Sequence, residues 1–182
     1  SSAASDVYKR QVQACDYLAK NIGEKGDVGI LDGIAVVPIL ERVRGCKEAL
    51  GKYKDIKIVS IQNGKQERDQ ALTVTENMLQ AQPNLKGLFS VNDNGSLGAL
   101  AAIQSSGMDV KLTSVDGAPE AIKEIQKPNS KFIATSAQYP RDQVRLALGL
   151  ALAKKLGAET SNFDESVTYE ALMEMTGGIG PD

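Results

Sequence analysis

Apolar residues along the chain follow two alternating spacings, one typical of amphipathic helices and one typical of buried strands. Apolar positions three and four residues apart predict helices over residues 12–22, 39–53, 68–80, 96–105 and 119–126. Short apolar runs between them predict strands over residues 27–31, 56–61, 87–91, 110–115 and 132–137. Strands that are apolar on both sides are buried on both faces. The pattern therefore predicts an α/β fold, an open doubly wound parallel sheet of about five strands with helices on both faces.

Residues at either end of the chain interrupt this regular pattern. The opening residues 1–11, SSAASDVYKRQ, resemble a peptide produced when sequencing-adapter DNA is translated, so we interpret them as non-native. The alternative is an ordinary polar helix start, capped by Ser5 or Asp6. Residues 141–156 predict a helix with apolar side chains on nearly all sides, and beyond residue 157 the periodicity weakens.

Composition excludes several classes of function. The net charge is −2 and aromatic residues make up 4%, so nothing favours nucleic acid or an anionic membrane as a partner. The chain contains no His, which removes Ser-His-Asp catalysis and the commonest metal ligand. No glycine-rich nucleotide loop follows a strand. We therefore expect no enzyme activity, no metal and no cofactor in this chain.

The two cysteines, Cys15 and Cys46, each lie on an apolar helical face. We interpret them as two small buried hydrophobic residues rather than as a disulfide or a metal pair.

Polar residues stand where three consecutive predicted strands end, and these residues are Asn92, Asp116 and Gln138. Because the carboxyl ends of parallel strands meet at one edge of the sheet, we expect the three side chains to converge. A carboxylate accepts hydrogen bonds from two hydroxyls, while amides donate and accept. No Arg or Lys belongs to the trio, which disfavours a phosphate ligand. The sequence therefore predicts a neutral ligand rich in hydroxyls, namely a sugar.

Each of these positions also has a purely structural interpretation. Asn94 or Asp93 can cap the helix that follows, and for Asn94 capping is favoured over a role in ligand binding. Asp116 precedes Gly117 and can be a turn residue, and Gln138 can cap a helix or face water.

Three longer stretches carry a resemblance to a known family. In order, SVNDNGSLGAL, SVDGAPEAIKEI and FIATSAQYPRDQVRLAL resemble the second half of periplasmic sugar-binding proteins of ABC transporters, above all the ribose-binding type. The resemblance covers residues 12–156. It implies a type I periplasmic-binding-protein lobe, in which residues 12–138 form the C-terminal sugar-binding lobe. Residues 139–182 then hold a hinge crossing, a helix of the missing N-terminal lobe and a tail.

The resemblance also implies a ligand-binding set. The family positions that bind sugar hydroxyls fall on Asn92, Asp116 and Gln138. Leu40 stands where the family often has a sugar-binding Arg, and Arg42 matches a neighbouring Arg. Arg42 is thus a candidate substitute, with a solvent-exposed helix charge as the alternative. Gln66 stands where the family often has an aromatic that stacks on the sugar, so the resemblance carries over the class of ligand and not ribose itself.

The function implied is that of a truncated extracytoplasmic solute receptor, located in the periplasm. It would bind a monosaccharide or a similar polyol for ABC-transporter uptake, with a permease as its partner, and it would perform no chemistry. The alternative on the same fold is the effector-binding domain of a sugar-responsive LacI-type transcription repressor. Because the helix over residues 141–156 would lack its partner lobe, the fragment is expected to self-associate.

Overall fold

The structure, a computed structural model, describes residues 2–137, with side chains described from residue 12 onward. Helices and strands alternate through this part of the chain. The elements are α1 (Ser2–Asn21), β1 (Lys25–Asp32), α2 (Val37–Leu50), β2 (Asp55–Asn63), α3 (Arg68–Ala81), β3 (Leu85–Ser90), α4 (Asp93–Ser106), β4 (Lys111–Asp116), α5 (Pro119–Ile125) and β5 (Phe132–Ala137).

The strands form one parallel sheet in the order β2-β1-β3-β4-β5. The chain reverses its direction of travel across the sheet at β1, because β2 lies on one side of β1 and β3 on the other. In open α/β sheets, the crevice for a ligand forms at the carboxyl ends of the strands beside such a reversal. The predicted fold class is confirmed, and the sheet places β1 and β3 at the centre of the edge where a site is expected.

Two hydrophobic cores lie on opposite faces of the sheet. One core joins α1 and α2 to the sheet, and the other joins α3, α4 and α5 to it. Leu88 and Phe89 are neighbours on β3, are both 0% exposed, and point into different cores. Full burial of a side chain of this size stabilises the fold by about 1.5–3 kcal/mol. Continuous apolar strands are thus required, since each face of the sheet is covered.

A disulfide joins Cys15 on α1 to Cys46 on α2, so the interpretation of these residues as two separate thiols is wrong. The two helices pack side by side on the same face of the sheet, which brings the two Cα atoms to 5.2 Å. Both residues are 0% exposed, so the prediction of burial is correct. Each cysteine lies on an apolar face, and only the packing of the two helices shows that these faces meet.

Several predictions concern residues outside the part that the structure describes. They include Gln138, the helix over residues 141–156 with its expected self-association, and the division of the chain at residues 138 and 139. The interpretation of residues 1–11 as non-native also stays a prediction. Among the described residues, no helix combines the length and the apolar character needed to cross a membrane.

Candidate ligand-binding site

Asn92 connects β3 to α4 and is fixed through its side chain and its carbonyl group. The Oδ1 atom accepts a hydrogen bond from the backbone N–H of Gly95 at 3.1 Å, and Nδ2 donates to the carbonyl of Gln66 at 3.2 Å. The Asn92 carbonyl accepts from the hydroxyls of Ser90 and Ser96. An amide has two donor hydrogens and two acceptor positions. Asn92 therefore retains one donor and one acceptor with which it can bind a ligand.

Asn92 is the N-cap of α4, so the prediction of Asp93 or Asn94 as the cap is wrong. Its backbone is extended (φ −154°, ψ 160°), and its side-chain oxygen satisfies one of the free N–H groups of the first turn. The helix begins at Asp93, earlier than the apolar spacing predicts, because this first turn carries polar residues. The side chain of Asn94 donates instead to the carbonyl of Gln66 at 3.0 Å.

Arg42 is buried and paired, so its interpretation as a solvent-exposed helix charge is wrong. The residue is 8% exposed, although it lies on α2 one turn from the start of the helix. Its Nη1 atom lies 3.1 Å from Oδ1 of Asp116 and donates to the carbonyl of Val91. The Nε atom is buried without a hydrogen-bond partner in residues 12–137. The guanidinium therefore links the ends of β3 and β4.

Asp116 ends β4 in a backbone conformation that is unusual for a residue with a side chain. Its φ is +133°, and Gly117, which follows it, has a φ of +79°. The carboxylate lies between Arg42 and the backbone N–H of Asp93, which donates to Oδ2 at 3.3 Å. Asp116 is therefore both a turn residue and a member of the polar cluster.

Two opposing influences act on the ionisation of Asp116. Burial, the largest single cause, raises the pKa of this carboxyl, and the negative charge of the nearby Asp93 carboxylate raises it further, while Arg42 and the N–H of Asp93 lower it. An ion pair alone would give a lowered pKa, so the raised pKa shows that burial and the Asp93 charge together outweigh the contacts with Arg42 and the Asp93 N–H. Further hydrogen-bond donors would stabilise its charged form.

Gln66 lies in the loop between β2 and α3 and connects the loops around the site. Its backbone has a φ of +62°, and its Oε1 atom accepts from the N–H of Ile34 at 3.2 Å. The side chain covers Gly33 so closely that a Cβ atom there would lie 2.6 Å from Cγ of Gln66. The carbonyl of Gln66 accepts from both Asn92 and Asn94. An amide thus occupies the position where the resemblance implies an aromatic ring in other members.

The structure brings four of the sequence-predicted site residues into one cluster, in which they are linked directly or through Val91 and Asp93. These residues are Asn92, Asp116, Arg42 and Gln66. Gln138 lies outside the described residues and directly follows Ala137, which pairs in register with Asp116. Leu40 is 51% exposed and does not contact the cluster through any hydrogen bond that the structure shows. The roles of these residues in binding remain predictions.

Sequence reasoning missed Asp93 and Thr135. Asp93 is 1% exposed, and its carboxylate accepts from the hydroxyl of Thr135 at 2.7 Å and from the N–H of Ala118 at 2.7 Å. An acidic residue in the first turn of a helix is common, so Asp93 gave no special signal. Thr135 is an ordinary strand residue in the sequence, and only the register of β4 and β5 places it beside Gly117.

The balance of charge in the cluster suits hydroxyl groups better than phosphate. Arg42 is engaged by Asp116, and Asp93 adds a second carboxylate close to it. A phosphate would meet two carboxylates and a guanidinium that is already paired, whereas sugar hydroxyls can donate to carboxylates and accept from amides. Among the described residues, no group of three or more potential ligands could hold a metal ion.

A surface depression at the opposite edge of the sheet has a cavity volume of about 310 Å³ and lies between α4 and α5. Its charged residues are engaged with neighbours, since Lys127 pairs with Glu124 and Lys131 pairs with Asp109. None of the candidate site residues lines it. The chemistry of the strand ends, and not this depression, therefore identifies the candidate site.

The chain is similar to known proteins both in sequence and in structure. Residues 1–159 match the model of a periplasmic binding protein domain. The ribose import binding protein RbsB of Salmonella typhimurium is 36% identical over 158 residues, which cover 86% of this chain and 52% of that protein. The D-allose-binding periplasmic protein of Escherichia coli is 37% identical over 150 residues, covering 81% of this chain and 48% of that protein. The chain thus spans about half the length of these relatives.

Solved structures agree with the sequence relatives. An ABC transporter periplasmic solute binding protein from Actinobacillus succinogenes 130z, with bound D-allose, superimposes with a TM-score of 0.78 at 38% identity. The matched region covers 85% of this chain and 55% of that one. A solute binding protein from Burkholderia multivorans gives a TM-score of 0.76 at 29% identity, covering 84% of this chain and 54% of that one. The resemblance read from the sequence is confirmed at the level of the family.

Proposed function

This chain belongs to the family of periplasmic binding protein domains, and on that premise we propose that it supplies one lobe of a receptor for a monosaccharide or a similar polyol. The receptor works outside the cytoplasm and delivers its ligand to the permease of an ABC transporter. Relatives named for ribose and for D-allose support this class of ligand. The chain performs no chemistry in this proposal, because its task is to bind and release.

The single observation that carries the proposal is the cluster at the carboxyl ends of β3 and β4. Asn92 offers one free donor and one free acceptor, and Asp116 offers a carboxylate whose side chain is 37% exposed and can accept from a ligand. Arg42 adds a buried Nε donor without a partner among the described residues. Leaving such groups unsatisfied is unfavourable, so a ligand with several hydroxyls gains by binding to them.

A second wall is needed to enclose the ligand, since this chain spans about half the length of its relatives. In the proposed mechanism, the sugar bridges the cluster on this lobe and polar groups on a second lobe. Closure is favoured only when the ligand is present, because only then are the polar groups of both walls satisfied. The permease then distinguishes the closed receptor from the open one.

The disulfide supports a location outside the cytoplasm. Cys15 and Cys46 form a bond that is fully buried in the core beneath α1 and α2. Such bonds form and persist in oxidising compartments and are rare in the cytosol. This favours a periplasmic receptor over a repressor that binds its effector in the cytosol.

The test is a titration of the ¹⁵N-labelled 182-residue chain with D-ribose, D-allose and xylitol, followed by two-dimensional NMR. A single wall is expected to bind weakly, and NMR measures weak binding well. We expect shifts that concentrate at the backbone amides of Asp93, Gly95 and Gly117, which surround the proposed site. In the complete receptor, a sugar at a hundredfold its dissociation constant should add about 2.7 kcal/mol to the free energy of unfolding.

A matched pair of variants makes this titration specific. Asp116→Asn removes the charge at the proposed site, whereas Asp109→Asn makes the same chemical change in the segment that precedes β4. We expect Asp116→Asn to weaken sugar binding about tenfold, as for a hydrogen bond to a charged group, and Asp109→Asn to leave it unchanged. Equal binding by both variants, or shifts scattered over the whole surface, would contradict the proposal.

A further inference from the structure

The side chain of Asp93 is buried, and each of its carboxylate oxygens accepts a hydrogen bond from within the protein, although it lies beside the candidate ligand residues. The residue is 1% exposed. Its Oδ1 atom accepts from the hydroxyl of Thr135 at 2.7 Å, and its Oδ2 atom accepts from the N–H of Ala118 at 2.7 Å. A buried carboxylate with these contacts is poorly placed to bind a ligand itself. Its contacts with Thr135 and with the N–H of Ala118 therefore indicate its function.

What Asp93 and Thr135 hold is the turn that carries Asp116. The Thr135 hydroxyl donates to Asp93 and accepts from the N–H of Gly117 at 3.2 Å, while the N–H of Ala118 donates to Asp93. Two consecutive N–H groups directly after Asp116 are thus bound by the pair of side chains. The turn needs such support, because φ is +133° at Asp116, a region that residues with a side chain rarely adopt.

The same arrangement fixes the Asp116 carboxylate from its other side. The backbone N–H of Asp93 donates to Oδ2 of Asp116 at 3.3 Å, and Nη1 of Arg42 lies 3.1 Å from Oδ1. Besides the repulsion between the two carboxylates, Asp93 therefore supports Asp116 in two ways, through its side chain on the turn and through its N–H on the carboxylate. Without this support, the backbone can relax to an ordinary φ, which would turn the carboxylate away from Arg42.

We propose that Asp93 and Thr135 are a pair of positioning residues, which hold the turn at Asp116 in the conformation that presents its carboxylate to ligand hydroxyls. The proposal rests on the proposed function for the identity of the ligand, but the positioning itself does not require one. Preorganised polar groups bind better because the ligand does not have to order them. Neither Asp93 nor Thr135 touches the ligand in this arrangement.

Thr135→Val is the decisive variant, because it removes the hydroxyl while it keeps the shape and the charge of the site. Thr135→Ser restores a hydroxyl and should restore the behaviour of the natural chain. Thr113→Val provides a matched control, since Thr113 is also a strand threonine, is 0% exposed, and its hydroxyl has no partner in residues 12–137. Any general effect of exchanging threonine for valine in this sheet should appear in the control as well.

The first measurement needs no sugar. The carboxyl ¹³C signal of Asp116 is followed against pH in each 182-residue chain. Burial raises the pKa of Asp116, so a carboxylate released into water by Thr135→Val should titrate at lower pH, nearer its ordinary value. Thr135→Ser and Thr113→Val should titrate like the natural chain. An unchanged titration in Thr135→Val would overturn the proposal, whether or not a sugar binds.

The second measurement separates positioning from a general loss of structure. Sugar affinity is measured by NMR titration in Thr135→Val, in Asp116→Ala and in the double variant. We expect Thr135→Val to weaken binding about fivefold to tenfold when Asp116 is present, and to have no effect in the Asp116→Ala background. A loss of equal size in both backgrounds would overturn the proposal. If no sugar binds to any chain, the proposed function fails, and the ¹³C titration alone decides the positioning.

Discussion

Asp116 ends β4 and Asp109 lies in the segment just before it; both are paired with a cation, but their surroundings differ. The Asp116 side chain is 37% exposed and faces Arg42, which is itself buried, whereas the Asp109 side chain is 69% exposed and faces Lys131. Burial raises the pKa of Asp116, and the hydrogen bond from Lys131 lowers the pKa of Asp109. The hydrogen bond with a cation is the largest influence on the pKa of the solvent-exposed Asp109. Loss of hydration is the largest influence on the pKa of Asp116, at the carboxyl edge of the sheet.

This difference distinguishes the two ion pairs. The Asp109–Lys131 pair gains little from a further hydrogen bond, whereas the Asp116 carboxylate of the Asp116–Arg42 pair can still bind a ligand. The Asp109 side chain is 69% exposed and keeps most of its access to solvent, and such exposed pairs contribute little to stability. The Asp116 carboxylate lacks part of its hydration, so additional donors are worth more to it. Carbohydrate hydroxyls are donors of this kind. The polar cluster at the carboxyl edge of the sheet thus lowers the stability of the fold, because its charges are partly desolvated. The amino edge carries ordinary surface charges.

Two glycines with positive φ values, one at each edge of the sheet, allow a direct test of this comparison. Their substitution is expected to give the largest change in the free energy of unfolding. Gly117 at the carboxyl edge and Gly107 at the amino edge have similar φ values of +79° and +70°. A Cβ atom on Gly117 would lie 2.7 Å from Cβ of Ala137, whereas one on Gly107 would have nothing within 4 Å. Gly117→Ala should lower the free energy of unfolding by about 3 kcal/mol, and Gly107→Ala by about 1 kcal/mol.

Urea unfolding of the two variants measures this difference. Gly117→Ala should also abolish the sugar-dependent NMR shifts, because the turn that carries Asp116 has to move away from β5. Gly107→Ala should keep them. Equal losses of stability in the two variants would mean that the new Cβ atom near β5 is accommodated without any cost in free energy. The carboxyl edge would then be no more constrained than the amino edge.

The pH dependence of sugar binding is the second test, and the raised pKa of Asp116 sets the pH range in which it is expected. Hydroxyl donors stabilise the ionised carboxylate, so the ligand lowers the pKa of Asp116 and binds the ionised form best. Affinity should therefore be constant at neutral pH and fall as the pH drops through the raised pKa, by at most about tenfold per pH unit. NMR titrations at a series of pH values measure this.

The Asp116→Asn variant should lose this acid-side decline, while Asp109→Asn should retain it. A decline of the same size in both variants would assign the pH dependence to a group other than Asp116. Affinity that rises as the pH falls would contradict the sign of the argument altogether.

Much of the architecture could be predicted because it depends on local periodicity. Continuous apolar runs between amphipathic helices sufficed for the parallel sheet, and the ends of these runs located Asn92 and Asp116 at one edge. The position of the helix cap was harder to predict from the sequence than the strand ends, because Asn92, Asp93 and Asn94 are all residue types that cap helices well. Only the extended backbone at Asn92 and its bond to Gly95 decide between them.

Contacts between distant elements were harder to predict, because they depend on how helices pack. Cys15 and Cys46 looked like separate buried residues until α1 and α2 were seen to lie side by side. Arg42 lies on a helix and looked like a surface charge, yet it reaches Val91 and Asp116 across the edge of the sheet. The spacing of residues along one element carries no information about either pairing.

The smallest change in the free energy of unfolding is expected for the Asp109–Lys131 pair, which tests the comparison at the amino edge. Asp109 has a lowered pKa in the folded chain, so its pairing contributes stability above its unfolded pKa and loses it as the pH falls through the folded value. Because the side chain is mostly exposed, solvent screens this contribution to about 0.5 kcal/mol or less. Asp109→Asn should therefore lower the free energy of urea unfolding at neutral pH by no more than this amount, and added salt should remove most of the difference. A salt-resistant loss of several kcal/mol would show that the amino edge also depends on a desolvated charge, and the contrast with Asp116 would disappear.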